Sequence, residues 1–178
     1  MKMIVTENEY LQKIKSVYTK DETTDEATKE IFSLVEKAVK EYPESAKLWC
    51  LRGDLIQIGS SETNYELNDS LESYKKALEI DPSSFEAHES IGFFYDDHLG
   101  NYSLAEESFR KAIDLGAGEE SYYGLARVLA QLNQTEDALK LLEPDNYIYH
   151  NESEIKEIRD EISSGVWLND EVNKFNED

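Results

Sequence analysis

The chain has 178 residues and a formal net charge of −21, from 18 lysines and arginines against 39 aspartates and glutamates. Nucleic acid carries the same sign, and phosphate contacts supply most non-specific affinity for it, so this charge argues against nucleic-acid binding. An acidic surface of this kind either maintains solubility or attracts a basic partner. Hydrophobic residues make up 39% of the chain, and only three prolines and eight glycines occur, which favours long helices over a turn-rich β fold.

Three further features set the expected compartment. No apolar run approaches the roughly 20 residues that a membrane-spanning helix needs. Residues 1–7 lack the apolar stretch of a signal peptide. The single cysteine, Cys50, has no partner for an internal disulfide. From these features we expect a cytoplasmic protein that contacts neither a membrane nor nucleic acid.

Helical periodicity accounts for most of the chain. Near the start, Tyr10, Ile14 and Val17 recur at helical spacing. Residues 59–68 are dominated by polar side chains, so we expect an exposed, mobile turn there. Residues 169–178 are polar and are predicted to form a tail. In chain order, the predicted helices span residues 7–18, 25–41, 47–58, 68–80, 85–99, 103–115, 120–132, 135–142 and 152–163.

A repeated pattern organises the middle of the chain. A small residue is followed four positions later by an aromatic one and, three positions after that, by an alanine. The helix before each such stretch carries a large residue followed by a glycine or an alanine four positions later, which lets two helices approach closely. The stretches contain Ser70, Tyr74 and Ala77, then Ala105, Phe109 and Ala112, then Ala138 and Leu142, and the preceding helices contain Trp49 and Gly53, His88 and Gly92, and Tyr122 and Ala126.

This pattern resembles the tetratricopeptide repeat, a helix pair of about 34 residues, over residues 24–143. The resemblance implies an all-α fold, a right-handed superhelix (α-solenoid) of antiparallel helix pairs with a C-terminal capping helix. Two departures are Arg52, where the family has leucine, and the extra residues in 59–68. A single domain is expected over 1–168, with a degenerate helix pair at 7–43, units at 46–84, 85–118 and 119–144, and the cap at 152–163. The cap could instead serve as a dimerisation helix.

The polar residues offer little sign of catalysis. Asp96, Asp97 and His98 are the best metal candidates, but consecutive helical residues point about 100° apart and so diverge. Cys50 lies in a predicted helix with no histidine near it in sequence. His150 lies in the connector before the cap. We therefore expect no metal, no cofactor and no enzymatic activity.

The resemblance places a binding surface on the concave face, which the first helix of each pair lines. Phe93 and Tyr123 offer aromatic surface there, and the second unit contributes four carboxylates. Arg127 opposes a cationic ligand unless Glu120 or Glu89 neutralises it. The predicted groove consists of Lys47, Cys50, Asp54, Gln57, Glu86, Glu89, Phe93, Asp96, Asp97, Glu120, Tyr123, Arg127 and Gln131.

The residues in the predicted groove argue against one activity of the family. Co-chaperone members hold an acidic peptide tail with lysines and asparagines in the groove. The corresponding positions here are Cys50, Asp54, Ser90, Glu120 and Gly124, and none of them is a cation.

Two functions remain from the sequence. The first is a non-catalytic protein–protein interaction module, an adaptor or scaffold that binds a basic peptide or helix in the groove. The second is a dedicated acidic chaperone, inhibitor or immunity-type protein that neutralises one basic partner. In either case we expect a monomer or a weak homodimer.

Overall fold

The computed structural model of the protein describes residues 5–18, 25–59, 64–143 and 152–168. Throughout these ranges the regular structure is helical, which confirms the all-α prediction. Almost every predicted helix boundary lies within one residue of the observed one. The helices are α1 (Glu7–Tyr18), α2 (Asp25–Glu41), α3 (Ala46–Gly59), α4 (Leu67–Ile80), α5 (Phe85–Phe93), a π-helical turn (Phe94–His98), α6 (Tyr102–Asp114), α7 (Glu119–Gln131), α8 (Thr135–Leu141) and α9 (Glu152–Ser164).

Short polar side chains fix where several helices begin. The Ser45 hydroxyl accepts a hydrogen bond from the Leu48 N–H at the start of α3. The Ser84 hydroxyl does the same for α5, and the Asn101 side chain accepts from the Leu104 N–H in α6. Each bond satisfies one of the N–H groups that lack a partner within the first helical turn.

The chain divides into two compact units, residues 1–87 and 88–178. In the first, Tyr10 of α1 shares a buried cluster with the end of α2 and the start of α3. A second cluster joins Ile14, farther along α1, to the beginning of α2 and the later part of α3. The helices α1 and α3 therefore run in the same direction, and α2 runs opposite to both. The ring of Tyr74 in α4 packs directly on Gly53 of α3.

The second unit is built around Phe109 of α6, which is fully buried. A Cβ atom added at Gly92 would lie 2.7 Å from the Phe109 ring, and one added at Gly124 would lie 2.5 Å from it. The two glycines therefore let α5 and α7 approach the ring from two sides. The repeat pattern predicts this role for Gly92, but in α7 it indicates Ala126 rather than Gly124.

The last helix, α9, closes the second unit. Its Ile162 is 1% exposed and belongs to the same core as Leu142. Arg159 donates hydrogen bonds of 3.2 Å to the carbonyls of Leu139 and Leu142, at the end of α8. Carbonyls in the last turn of a helix lack helical partners, so α9 satisfies and covers this end.

Two local predictions are wrong. The predicted helix over 85–99 changes to a π-helical turn at Phe94. Within 59–68, residues 60–63 lie outside the described residues, but Tyr65 is half-buried rather than exposed. Its ring stacks on that of Phe32, with 5.3 Å between centroids, and packs against the cluster that joins α1, α2 and α3.

The described helices include none with the length and apolar character that crossing a membrane requires.

Candidate functional site

In the first unit, the predicted groove residues of α3 differ in how accessible they are. Lys47 is exposed, Cys50 is buried, and Asp54 and Gln57 are half-buried. The Tyr74 hydroxyl lies 2.9 Å from the Asp54 carboxylate and 2.8 Å from the Gln57 side-chain oxygen, either of which accepts its hydrogen. These two polar side chains therefore help to hold α4 against α3.

A cavity of about 480 Å³ lies beside α3 in this unit. The predicted residues Lys47, Cys50, Asp54 and Glu86 line it. Sequence reasoning missed the contribution of α1, which adds a second lysine and two amides. These residues are Asn8, Gln12 and Lys15. Two lysines face two carboxylates here, so the charges of this cavity are balanced.

In the second unit, Arg127 of α7 is held by both aspartates of the π-helical turn. Its Nε and Nη2 donate to one oxygen of Asp96 at 2.9 and 2.5 Å, and Nη2 donates to Asp97 at 3.0 Å. Gln131 donates to the other oxygen of Asp96 at 3.0 Å. The Asp96 side chain is only 3% exposed, so this ion pair is shielded from water.

Arg127 was expected to oppose a cationic ligand unless Glu120 or Glu89 neutralised it, and Asp96 and Asp97 are the carboxylates that pair with it. Glu89 accepts a hydrogen bond from the Ser121 hydroxyl at 2.5 Å. Consecutive side chains on a regular helix diverge, but the wider π turn and the fork of guanidinium donors allow Asp96 and Asp97 to reach one arginine. The two cross-links also show that α5 and α7 run in the same direction.

The Arg127 guanidinium also contacts two aromatic rings. It lies 5.9 Å from the Phe93 ring centroid and 5.4 Å from that of Trp167. Trp167 follows α9, and its indole N–H donates to Glu161 at 3.1 Å. The segment after α9 is thereby attached both to α7, through a cation–π contact, and to α9.

A second cavity, of about 210 Å³, opens beside this arrangement. The predicted residues Phe93, Glu120, Tyr123 and Arg127 line one part of it. Sequence reasoning missed the rest, because the apolar stripe of α9 indicated only a covering role. The missed side chains are Glu154, Ile158 and Glu161 of α9 and Trp167 after it.

The side chains that line this second cavity are mainly acidic among those that carry a charge. Burial raises the pKa of the Glu120 carboxyl, and the nearby charges of Glu154 and Glu119 raise that pKa further. Glu120, Glu154 and Glu161 all line the cavity, whereas its cation, Arg127, is already paired with Asp96 and Asp97. The lining therefore carries an excess of negative charge that favours a cationic ligand.

Over the described residues, no group of three or more histidines, cysteines and acidic residues is placed to hold a metal ion. The carboxylates of Asp96 and Asp97 face Arg127, while the His98 ring lies 5.8 Å from that of Phe94. His150 lies outside the described residues.

Two sequence profiles match the helix pairs around these cavities. Residues 66–96 match one described as TPR repeat, and residues 85–115 match one described as Tetratricopeptide repeat. The chain therefore contains tetratricopeptide repeats. Proteins of this family bind other proteins or peptides, and their fold is generally a non-catalytic scaffold. This tetratricopeptide-repeat protein is therefore a protein-interaction module.

Solved structures support the same assignment. YrrB, "a TPR protein with an unusual peptide-binding site", is 27% identical with a TM-score of 0.61, covering 74% of this chain and 70% of its own. MamA is 20% identical with a TM-score of 0.65, covering 96% and 88%. PilW, a type IV pilus biogenesis factor, is 19% identical with a TM-score of 0.64 over 76% of this chain. The match spans only 59% of PilW. No curated protein sequence matches the chain.

The likeness to MamA and PilW shows the α-solenoid fold alone.

Proposed function

We propose that this tetratricopeptide-repeat protein is an adaptor or scaffold that binds a basic segment of a partner protein, with the second-unit cavity as its main contact. One observation carries the proposal. The cavity is lined by Glu120, Glu154 and Glu161, while the charge of Arg127 is cancelled by the aspartates behind it. A basic segment brings the opposite charge to these carboxylates, whereas an acidic segment is repelled.

The aromatic surface supplies the other part of the affinity. Phe93 and Trp167 are half-buried and line the same cavity. Aromatic side chains of this kind are frequent anchors in protein interfaces, because they bury a large area for few rotatable bonds. Charge is then expected to govern association, and the aromatic contacts to govern dissociation.

The experiment compares three blocked peptides of equal length, octalysine, octaglutamate and octaserine, by isothermal titration calorimetry against the full chain. We expect octalysine to bind, with a dissociation constant that rises as salt is added, and the other two not to bind. Phe93→Ala is expected to raise the dissociation constant of the octalysine complex. Equal binding of octalysine and octaserine, or none at all, would overturn the proposal.

With variants of the chain, the same peptides distinguish the first-unit cavity from the second-unit cavity. The predicted groove residues Glu86 and Glu89 are poor choices for this test, because Glu86 lines the first-unit cavity and Glu89 accepts a hydrogen bond from Ser121. Glu154→Gln is the sharper variant, with Glu157→Gln as its matched control. Both change the same charge on α9, but Glu157 is exposed and does not line the cavity.

A second candidate function is a dedicated acidic chaperone, inhibitor or immunity-type protein for one basic partner. The net charge of −21 favours it, because the few carboxylates that line one cavity account for only a small part of this charge. Affinity capture from native lysate distinguishes the two functions. A single basic partner lost at moderate salt supports the dedicated role, whereas several partners with weak salt dependence support the adaptor.

A further inference from the structure

The walls of the second-unit cavity differ in chemistry from one side to the other. Phe93, Tyr123, Ile158 and Trp167 supply aromatic and aliphatic surface. Glu120 from α7 and Glu154 from α9 supply carboxylates to the same cavity. A long cationic side chain matches both, since its methylene stem packs on apolar surface while its charged end pairs with a carboxylate.

The molecule already contains one example of this recognition. Arg127 places its guanidinium against the rings of Phe93 and Trp167, with two aspartate carboxylates as its ionic partners. The aromatic surface that lines the cavity is thus suited to a cation. Because Asp96 and Asp97 balance the charge of Arg127, the other carboxylates that line the cavity give its lining a net negative charge.

The alternatives to a cation fit less well. A neutral apolar side chain would take water away from Glu120 and Glu154 without replacing it, which costs free energy. An acidic side chain would add a further negative charge beside Glu120, whose pKa is already raised by burial and by repulsion from Glu154 and Glu119. A cationic group relieves that repulsion.

We infer that the cavity between α7 and α9 is an anchor pocket for a single lysine or arginine side chain of the partner, held by Glu120 and Glu154 against Phe93 and Trp167. The inference rests on the proposed function and makes it more specific, because it assigns selectivity to one residue rather than to overall charge. It also gives α9 and Trp167, which the repeat pattern assigns only to covering the last pair, a direct part in binding.

The test uses the indole N–H signals of the two tryptophans in ¹⁵N NMR spectra of the full chain. Trp167 lines the cavity, whereas Trp49 lies in the other unit with its indole N–H bonded to the Pro43 carbonyl. The Trp49→Phe variant identifies the Trp167 signal. The probes are blocked pentapeptides with one central lysine, arginine, norleucine or glutamate between glycines.

We expect the lysine or arginine peptide to shift the Trp167 signal saturably and to leave that of Trp49 in place. The norleucine and glutamate peptides should shift neither. The double change Glu120→Gln, Glu154→Gln should weaken binding by about tenfold or more, as expected for the loss of charge-assisted hydrogen bonds. Glu157→Gln should bind like the wild type.

Two results would overturn the inference. One is an unmoved Trp167 signal with the cationic peptides, and the other is wild-type binding by the Glu120→Gln, Glu154→Gln chain. If octalysine still binds in either case, the second-unit cavity is not the main contact, and only the binding of a basic segment elsewhere on the chain stands. If octalysine does not bind, the proposed function itself is wrong.

Discussion

At the scale of single residues, the structure shows that identical residue types perform different tasks. Glu89 bonds to Ser121 and supports the packing of α5 on α7, whereas Glu120 lines the cavity. Asp96 is buried against Arg127, whereas its neighbour Asp97 remains about half exposed. The sequence assigned all four to one surface, because spacing along a helix indicates a face but not which neighbours that face meets.

The raised pKa of Glu120 leads to a prediction about stability and pH. A carboxyl whose pKa is higher in the folded state binds its proton more tightly there than in the unfolded chain. Its contribution to stability is therefore full below the ordinary glutamate pKa and is lost as the pH rises through the folded value. Glu120→Gln should raise the melting temperature at about pH 8 and change it little at about pH 4.

Differential scanning calorimetry at the two pH values measures this effect. Glu157→Gln is the control, since it removes the same charge from an exposed position away from the cavity. Equal effects of the two substitutions at both pH values would mean that Glu120 senses only the overall charge.

The contact of Gly124 with Phe109 leads to a second prediction. Gly124→Ala places a Cβ where the ring now lies, so we expect a loss of about 1–3 kcal/mol in the free energy of unfolding. Phe109→Leu removes part of the ring and should relieve this clash. In urea denaturation, the double variant should therefore be more stable than the sum of the single changes predicts, by about 0.5–3 kcal/mol. Strict additivity would show that the glycine is not needed for close packing.

At the scale of helices, most of the fold could be predicted from the sequence. The periodic apolar residues and the repeat of small, aromatic and alanine positions predict the helix ends, since each helix meets its neighbours through that stripe. The π-helical turn at Phe94 could not be predicted, because no residue there has a propensity for it. The turn occurs where Asp96 and Asp97 bind Arg127, which is about thirty positions away in the sequence.

Part of the candidate site could be predicted because it lies on the repeated helices. Phe93, Glu120, Tyr123 and Arg127 lie on first helices of the repeats and follow from the resemblance. Glu154 and Trp167 lie outside the repeats, and their approach to α7 depends on how α9 packs. No local pattern encodes that packing.

The link between α5 and α7 gives a third prediction. Arg127→Met leaves the buried Asp96 without its cation, so we expect the free energy of unfolding to fall by about 2–4 kcal/mol. This loss is somewhat smaller than for a fully buried pair, because Arg127 is partly exposed. Arg110→Gln is the matched control, since it removes an exposed pair with Glu106 and should cost about 0–1 kcal/mol.

Chemical denaturation of both variants provides the comparison. Adding Asp96→Asn to the Arg127→Met chain should recover part of the loss, since it removes the unpaired buried charge. Similar costs for the two arginine variants would indicate that the Asp96 pair is as weak as one on the surface.

At the scale of the whole molecule, the dominant property is the charge of −21. Like charges repel one another more strongly in a compact chain than in an extended one, so this imbalance opposes folding. Salt screens that repulsion over a distance that shortens from about 30 Å at 0.01 M to about 10 Å at 0.1 M. Binding of a basic partner relieves it in the same way, which links stability to occupancy.

A fourth prediction follows for the free protein. Raising sodium chloride from about 0.02 M to about 0.5 M should increase the melting temperature, whereas most proteins near electrical balance respond weakly. Circular dichroism at the helical wavelength follows the transition. Potassium chloride at equal ionic strength should have the same effect, since screening does not depend on the identity of the ion. A melting temperature that falls with salt would mean that favourable ion pairs outweigh the repulsion.

The placement of the two tryptophans has a consequence for how folding can be observed. Trp49 lies among the helices of the first unit, and Trp167 lies beside α9 in the second. Each unit thus contains one tryptophan, and substitution by phenylalanine removes the tryptophan emission of that unit. Tryptophan fluorescence can therefore report whether the two units unfold together or in succession, without any added label.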